Sequence, residues 1–254
     1  MKNLKLISVI LLTIISLQMN AQAYKNFKVA VYCRAYEVEK MADPKWLTSV
    51  WDTLSRQLHV DRIYLETHRD LLIVPDATLE AAKKFFQSKG VEVAGGITYT
   101  IDESNNFQTF CYTNPENRQK VKEIAEHTAK HFDFFILDDF FCTADTSMES
   151  KQAKGDKSWS EYRRGMLTEI AQTVFINPAK TKNPDITMII KYPQWYDRFH
   201  QFGYDVATEP PLFDKVYVGT ETRGQYTQRY GFVQPYEGFV NYRWISTLAG
   251  EKIG

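Results

Sequence analysis

The sequence predicts an α/β fold of the (β/α)8 TIM-barrel type, with about six βα units present in the chain. Three observations carry that expectation. Strand-like and helix-like segments alternate with little between them, which implies parallel strands joined by right-handed crossovers. The strand-like runs are almost continuously apolar, as in strands covered on both faces. Polar and aromatic side chains then collect just after each strand, on the edge where a β/α barrel builds its site. An open doubly wound sheet also fits the alternation. No glycine-rich phosphate loop follows any strand, however, and Gly95-Gly96 sits inside the third one, which argues against a nucleotide-binding sheet.

Taken in order, residues 1–23 read as a signal peptide. Lys2 and Lys5 form a basic head, Leu6 to Leu17 an apolar run, and Ala21-Gln22-Ala23 a small-x-small cleavage pattern. The run is shorter than the roughly 20 residues a membrane span needs. The expectation is an exported protein, periplasmic or extracellular, without stable membrane insertion after cleavage. Residues 24–254 then form one β/α-barrel catalytic-type domain.

Phe27 to Cys33 is the first strand, and Leu47, Val50, Trp51, Leu54 and Leu58 recur at helical spacing after it. Val60 to Leu65 is the second strand, followed by a helix from Thr78 to Ser88 that Gly90 stops. Val91 to Thr98 is the third; Asn114-Pro115 opens a helix that reaches His131. Phe132 to Leu137 is the fourth, followed by a polar stretch over Thr143 to Lys157 and a helix near Ser160 to Phe175. Asp185 to Ile190 and Asp214 to Val218 are the fifth and sixth, with a last helix from Pro235 to Leu248.

Composition narrows the function classes. Basic and acidic residues balance at 31 each, so no basic footprint for nucleic acid is present. With 44% hydrophobic and 14% aromatic residues the chain can bury a core. Three cysteines, Cys33, Cys111 and Cys142, are too few for a disulfide scaffold and show no metal-ligand spacing.

The strand ends supply the candidate site: Arg34 and Tyr36 after the first, Glu66 and His68 after the second, Tyr99 after the third. Asp138-Asp139 follows the fourth, Lys191, Tyr192 and Trp195 the fifth, Glu221 and Arg223 the sixth. Two carboxylates straight after an apolar run need pairing, hydration or work to do. Because strand side chains alternate, one of Asp138 and Asp139 should face the mouth; Asp138 is the preferred chemical group and Asp139 its supporter. Glu221 is the natural partner, since two carboxyl groups across a barrel mouth are the minimum equipment for glycoside hydrolysis. Arg34, Tyr36, Glu66, His68, Tyr99, Lys191, Tyr192, Trp195 and Arg223 are the expected substrate-binding set, the flat rings stacking on sugar. A cluster of Glu66, His68, Asp138 and Asp139 is the rival, metal-dependent reading. The other histidines, His59, His127, His131 and His200, lie on or beside helices. No metal and no cofactor is expected.

The segments FDFFILDDFF, IIKYPQWYD and DKVYVGTETR resemble those of secreted bacterial TIM-barrel glycoside hydrolases that degrade polysaccharides. The resemblance implies an aspartate nucleophile after the fourth strand, at Asp138 or Asp139, and an acid/base carboxyl after the sixth, at Glu221. It also implies a carbohydrate substrate. The Asp-x-x-Asp-x-Asp-x-Glu pattern of chitinase-like barrels is absent. A non-catalytic carbohydrate-binding barrel is the alternative. Six units rather than eight imply either two overlooked strands or, preferred, a barrel incomplete at its C-terminus.

Overall fold

The computed structural model describes residues 24, 26–220 and 235–253. Strand β1 (Ala30–Cys33) leads into helices α1 (Ala35–Lys40) and α2 (Pro44–Ser55). Strand β2 (Arg62–Arg69) folds back into the short β3 (Leu72–Ile73), followed by α3 (Asp76–Ser88) and β4 (Glu92–Ile97). A small hairpin, β5 (Thr100–Asp102) and β6 (Gln108–Thr109), precedes α4 (Pro115–His131) and β7 (Phe134–Leu137). Helices α5 (Met148–Lys154), α6 (Trp159–Ile170) and α7 (Asn177–Lys182) come next, α6 and α7 being joined by a π-helical stretch over Ala171–Ile176. Strand β8 (Thr187–Tyr192), helix α8 (Phe199–Phe202), strand β9 (Lys215–Val218) and helix α9 (Pro235–Ala249) complete the described elements.

Six of these strands pair in the order β1-β2-β4-β7-β8-β9, every neighbour parallel. Spatial order follows chain order without reversal. A doubly wound sheet reverses at a switch point, which sends helices to both faces; right-handed crossovers in unbroken order keep them on one. The sheet is accordingly curled into a half-barrel, and the expected α/β barrel-type fold is what the chain forms. Strand β3 pairs antiparallel with β2, and β5 with β6, so neither adds a parallel barrel strand. Among the described residues no helix is long and apolar enough to cross a membrane.

Alternation along the strands sorts side chains between two layers. Tyr64, Ala94, Ile136 and Ile189, with Tyr32, Phe134 and Tyr217 against them, pack on the concave face. Their neighbours Leu65, Phe135, Leu137, Ile190 and Val216 point outward into the helix layer. Gly95 and Gly96 serve these two layers rather than a phosphate. A Cβ on Gly95 would lie 2.7 Å from the Phe132 ring, and one on Gly96 2.7 Å from the Tyr32 hydroxyl. Only bare backbone lets Phe132 close from outside and Tyr32 lie across the inside.

Helix α4 has the bounds its caps predict: the Asn114 side chain accepts from the backbone N–H of Glu116 and Asn117, with Pro115 in the first turn. Four helices were not expected, among them the short α7 and α8. The polar stretch after β7 carries α5, capped by Ser147, and the segment directly after β1 winds into α1. Strand β2 also runs four residues past Leu65, because Glu66, Thr67, His68 and Arg69 all find partners on or beside neighbouring elements, Arg69 on the Thr98 hydroxyl.

Candidate active site

The inward-facing positions at the C-terminal ends of the strands converge on one charged cluster. Glu66 is its anchor. It is fully buried and accepts from the Tyr32 hydroxyl (2.7 Å), the Ala35 backbone N–H (2.7 Å), Arg69 Nε (2.7 Å) and Nη2 (2.9 Å), and the Thr98 hydroxyl. Every lone pair is engaged, so Glu66 positions its neighbours rather than reacting. Arg69 also pairs with Glu103 and stands 3.8 Å from Asp138 Oδ2.

Asp138 follows β7 on the inward register of Phe134 and Ile136. Its Oδ1 accepts from Lys191 Nζ at 2.8 Å, and Asp139 Oδ2 accepts from the same ammonium at 2.9 Å. Thr98 Oγ1 lies 3.4 Å from Asp138 Oδ2. Both aspartates therefore meet one lysine, whereas strict alternation would send one of them away. The reason is that β7 ends at Leu137, so the backbone is free to turn; the Tyr204 hydroxyl then holds the Asp139 carbonyl. Burial alone would lower the Lys191 pKa, but the carboxylates of Asp138 and Asp139 outweigh it and raise the ammonium above its ordinary range. Lys191 is a fixed cation and not a base. Four carboxylates (Glu66, Glu103, Asp138, Asp139) thus share two cations (Arg69, Lys191).

Beside this cluster opens a hollow of about 670 Å³ lined by Tyr36, Asp70, Ile101, Asp102, Glu103, Ser104 and Phe107. Glu103 belongs to both. The Tyr36 hydroxyl donates to Asp70 at 2.6 Å. Phe107 stacks on Phe140, with centroids 4.9 Å apart at 16°, and keeps 45% of its surface exposed.

A family profile described as "Probable glycosyl hydrolase, catalytic domain" matches residues 16–254. The chain belongs to this glycosyl hydrolase catalytic-domain family. The domain is 28% identical over 257 residues to the uncharacterized protein SSO3021 of Saccharolobus solfataricus, across 90% of this chain and 42% of the other. It thus spans less than half the length of that relative. Among solved structures it is similar to the chitinase domain of the spore coat protein CotE from Clostridium difficile. The TM-score is 0.50 and the identity 12%, over 93% of this chain and 66% of that one. At such identity the likeness concerns the fold.

Within this glycosyl hydrolase domain, Asp138, Asp139, Lys191 and Glu66 are brought together as the strand ends suggest. Arg34 and Tyr36 lie beyond β1, with Arg34 bonded to Glu37 at 3.0 and 3.1 Å. Glu221 and Arg223 fall outside the described residues. Four expected substrate contacts are corrected, the first being Glu66, whose lone pairs are all taken within the cluster. Tyr99 and Tyr192 have the outward phase of Ile97 and Ile190, so both are fully buried in the helix layer; their hydroxyls donate to the Val121 carbonyl (3.0 Å) and Glu209 (3.1 Å). His68 follows a register shift between Glu66 and His68 that turns its ring outward against Tyr99 and Phe110. Its Nδ1 lies 2.7 Å from the Thr98 carbonyl, and burial brings its pKa down to about 4. The metal cluster of Glu66, His68, Asp138 and Asp139 therefore does not converge. Trp195 packs edge-on against Phe202 and Tyr204, at 5.3 and 5.5 Å, half-buried. Tyr32 and Glu103 join the cluster unpredicted, with Arg69 and Thr98, which the sequence places at strand ends without a role. Tyr32 shares the inward phase of its strand, the one signal that would have found it.

The Tyr192 partner predicts a pH effect. Burial pushes the Glu209 carboxyl from 4.5 up to about 8. The folded chain thus keeps a proton that the unfolded chain releases, so this contribution is full below about pH 4.5 and lost as pH rises to about 8. Glu209→Gln mimics the protonated form. Its melting temperature should match wild type near pH 4.5 and exceed it by several degrees at pH 8.5; parallel pH curves for the two proteins would refute the assignment.

Proposed function

We propose that the chain is an exported glycoside hydrolase that cleaves O-glycosidic bonds in an oligo- or polysaccharide through two carboxylates, Asp138 and Glu221. The observation that carries the reading is the Lys191 clamp at the mouth of the half-barrel, which fixes Asp138 as an acceptor of hydrogen bonds. A carboxylate held by a permanent cation suits a nucleophile, or a base toward water, and not a proton donor. The donor to the leaving oxygen then has to come from another strand end, and Glu221 is that group. Glu66 acts through Arg69, which it holds beside Asp138. Asp139 supports Lys191. The exposed Phe107 ring on Phe140 offers a flat apolar platform for a sugar beside the charged cluster, and Arg34, Tyr36, Trp195 and Arg223 contribute to the rim. The basic head, apolar run and Ala-Gln-Ala pattern of residues 1–23 support export.

The test is a screen of the purified protein against plant, microbial and host glycans, followed by released reducing ends. Product should form with at least one glycan class and vanish in Glu221→Gln. Binding without release, unchanged by that substitution, would replace the enzyme with a carbohydrate-binding barrel.

A further inference from the structure

On the helix-covered side of the sheet, away from the concave site, two histidines lie one turn apart at the end of α4. His127 and His131 both turn a ring nitrogen toward Asp76 in the first turn of α3. His131 Nε2 is 2.9 Å from Asp76 Oδ1, and His127 Nδ1 is 3.5 Å from the same oxygen. The three ligand atoms all lie within 4.8 Å of one another. Around a tetrahedral cation with bonds of about 2.0–2.1 Å, ligand atoms sit about 3.4 Å apart, so these two separations straddle the required value.

The other nitrogen of each ring decides what the first can offer. His127 Nε2 lies 3.2 Å from the Val74 carbonyl, which can only accept, so that nitrogen carries the proton and Nδ1 presents a lone pair. His131 Nδ1 lies 2.8 Å from Glu80 Oε1, an acceptor that holds the ring proton on Nδ1 whenever Nε2, which faces Asp76, gives its lone pair to a cation. Ring N–H groups anchored to a carbonyl and to a carboxylate are the supports that orient imidazoles at metal centres. Lys130 pairs with the second oxygen of Asp76, so Oδ1 remains directed at the two rings. His131 is buried, His127 half-buried and Asp76 exposed, leaving one side open to solvent.

The geometry points to a divalent-cation site of the zinc class, held by Asp76 Oδ1, His127 Nδ1 and His131 Nε2 with solvent as the fourth ligand, tying α3 to α4. It is separate from the proposed hydrolytic site and does not depend on it. The competing arrangement is a purely ionic network in which a protonated His131 bridges Asp76 and Glu80.

Calorimetric titration of the untagged, chelator-stripped chain with zinc chloride separates the two, with melting temperature as a second readout. One equivalent should bind and raise the melting temperature. His127→Ala and Asp76→Asn, both at partly exposed positions, should weaken binding at least about tenfold and abolish that rise. Glu80→Gln should weaken it by roughly 10–100-fold by releasing the His131 ring. Lys130→Gln should bind zinc as tightly or more so, because a competing cation is gone. Absence of a zinc-dependent shift in the wild-type chain would overturn the site. So would His127→Ala binding like wild type, or Lys130→Gln losing zinc as His127→Ala is expected to.

Discussion

With Asp138 in the proposed role, Asp138→Asn is expected to cut hydrolysis of a responsive glycan by about a thousand-fold or more, while the fold survives. Asn keeps a carbonyl oxygen for Lys191 Nζ, which stands 2.8 Å from Oδ1 in the native site, and Asp139 still pairs with the same ammonium at 2.9 Å. What disappears is the negative charge proposed to attack, or to deprotonate water. The loss should therefore fall on kcat, with KM little changed, since the platform of Phe107 and Phe140 is untouched. Retention of a tenth of the wild-type rate would remove Asp138 from the chemistry. Asp139→Asn is the internal control: its carboxylate meets the lysine from a position after the strand has ended, so a smaller loss is expected there.

Glu66→Ala should produce the largest loss of stability, about 3–5 kcal/mol, which is typical of removing one partner from a buried ion pair. The substitution leaves the Arg69 guanidinium, itself 5% exposed, with Glu103 and the more distant Asp138, and removes the acceptor of the Tyr32 hydroxyl, the Ala35 N–H and the Thr98 hydroxyl. These groups belong to β1, α1, β2 and the end of β4, so the damage spreads across the first half of the sheet. At roughly 2–4 °C per kcal/mol for a chain of this size, the melting temperature should fall by about 6–20 °C. A shift under 2 °C would mean that solvent takes over the role of the carboxylate. Because Arg69 also faces Asp138, residual activity should fall even at temperatures where the variant stays folded.

How much of this was legible in the sequence depended on phase. Phe134 to Leu137 is apolar at every position, so strand alternation told only that one of Asp138 and Asp139 faces inward; the preference for Asp138 matches the phase the folded strand gives it, and Lys191 shares the inward phase of β8. The same alternation, applied to Tyr99 and Tyr192, would have sent both into the helix layer; position after a strand says nothing until phase is counted. His68 was beyond that reasoning, since its direction follows from a register shift against β4. The Glu66 network was hidden for another reason: apart from Arg69, its donors come from residues 31 to 34 positions away, and only the folded sheet brings them together. Helix α1, six residues long, is too short for periodicity to reveal. Helix α5 lies in a stretch so polar that no apolar stripe marks it.

The unreversed strand order has a consequence for how the chain reaches its native state. Each parallel neighbour is also the next barrel strand in sequence, so pairing never has to span more than one strand–helix unit. The entropy lost in closing each loop is then nearly constant along the sheet, and ordering can start at any adjacent pair and spread outward in both directions. Assembly of this kind resembles the stacking of repeats, where each unit depends on its immediate neighbours. The Glu66–Arg69–Asp138 chain, with the Tyr32 hydroxyl on Glu66, reaches across several units at once, from β1 to β7. That chain is complete only when the four strands β1, β2, β4 and β7 are all in register, so the charged cluster at the mouth forms after these pairings and not before.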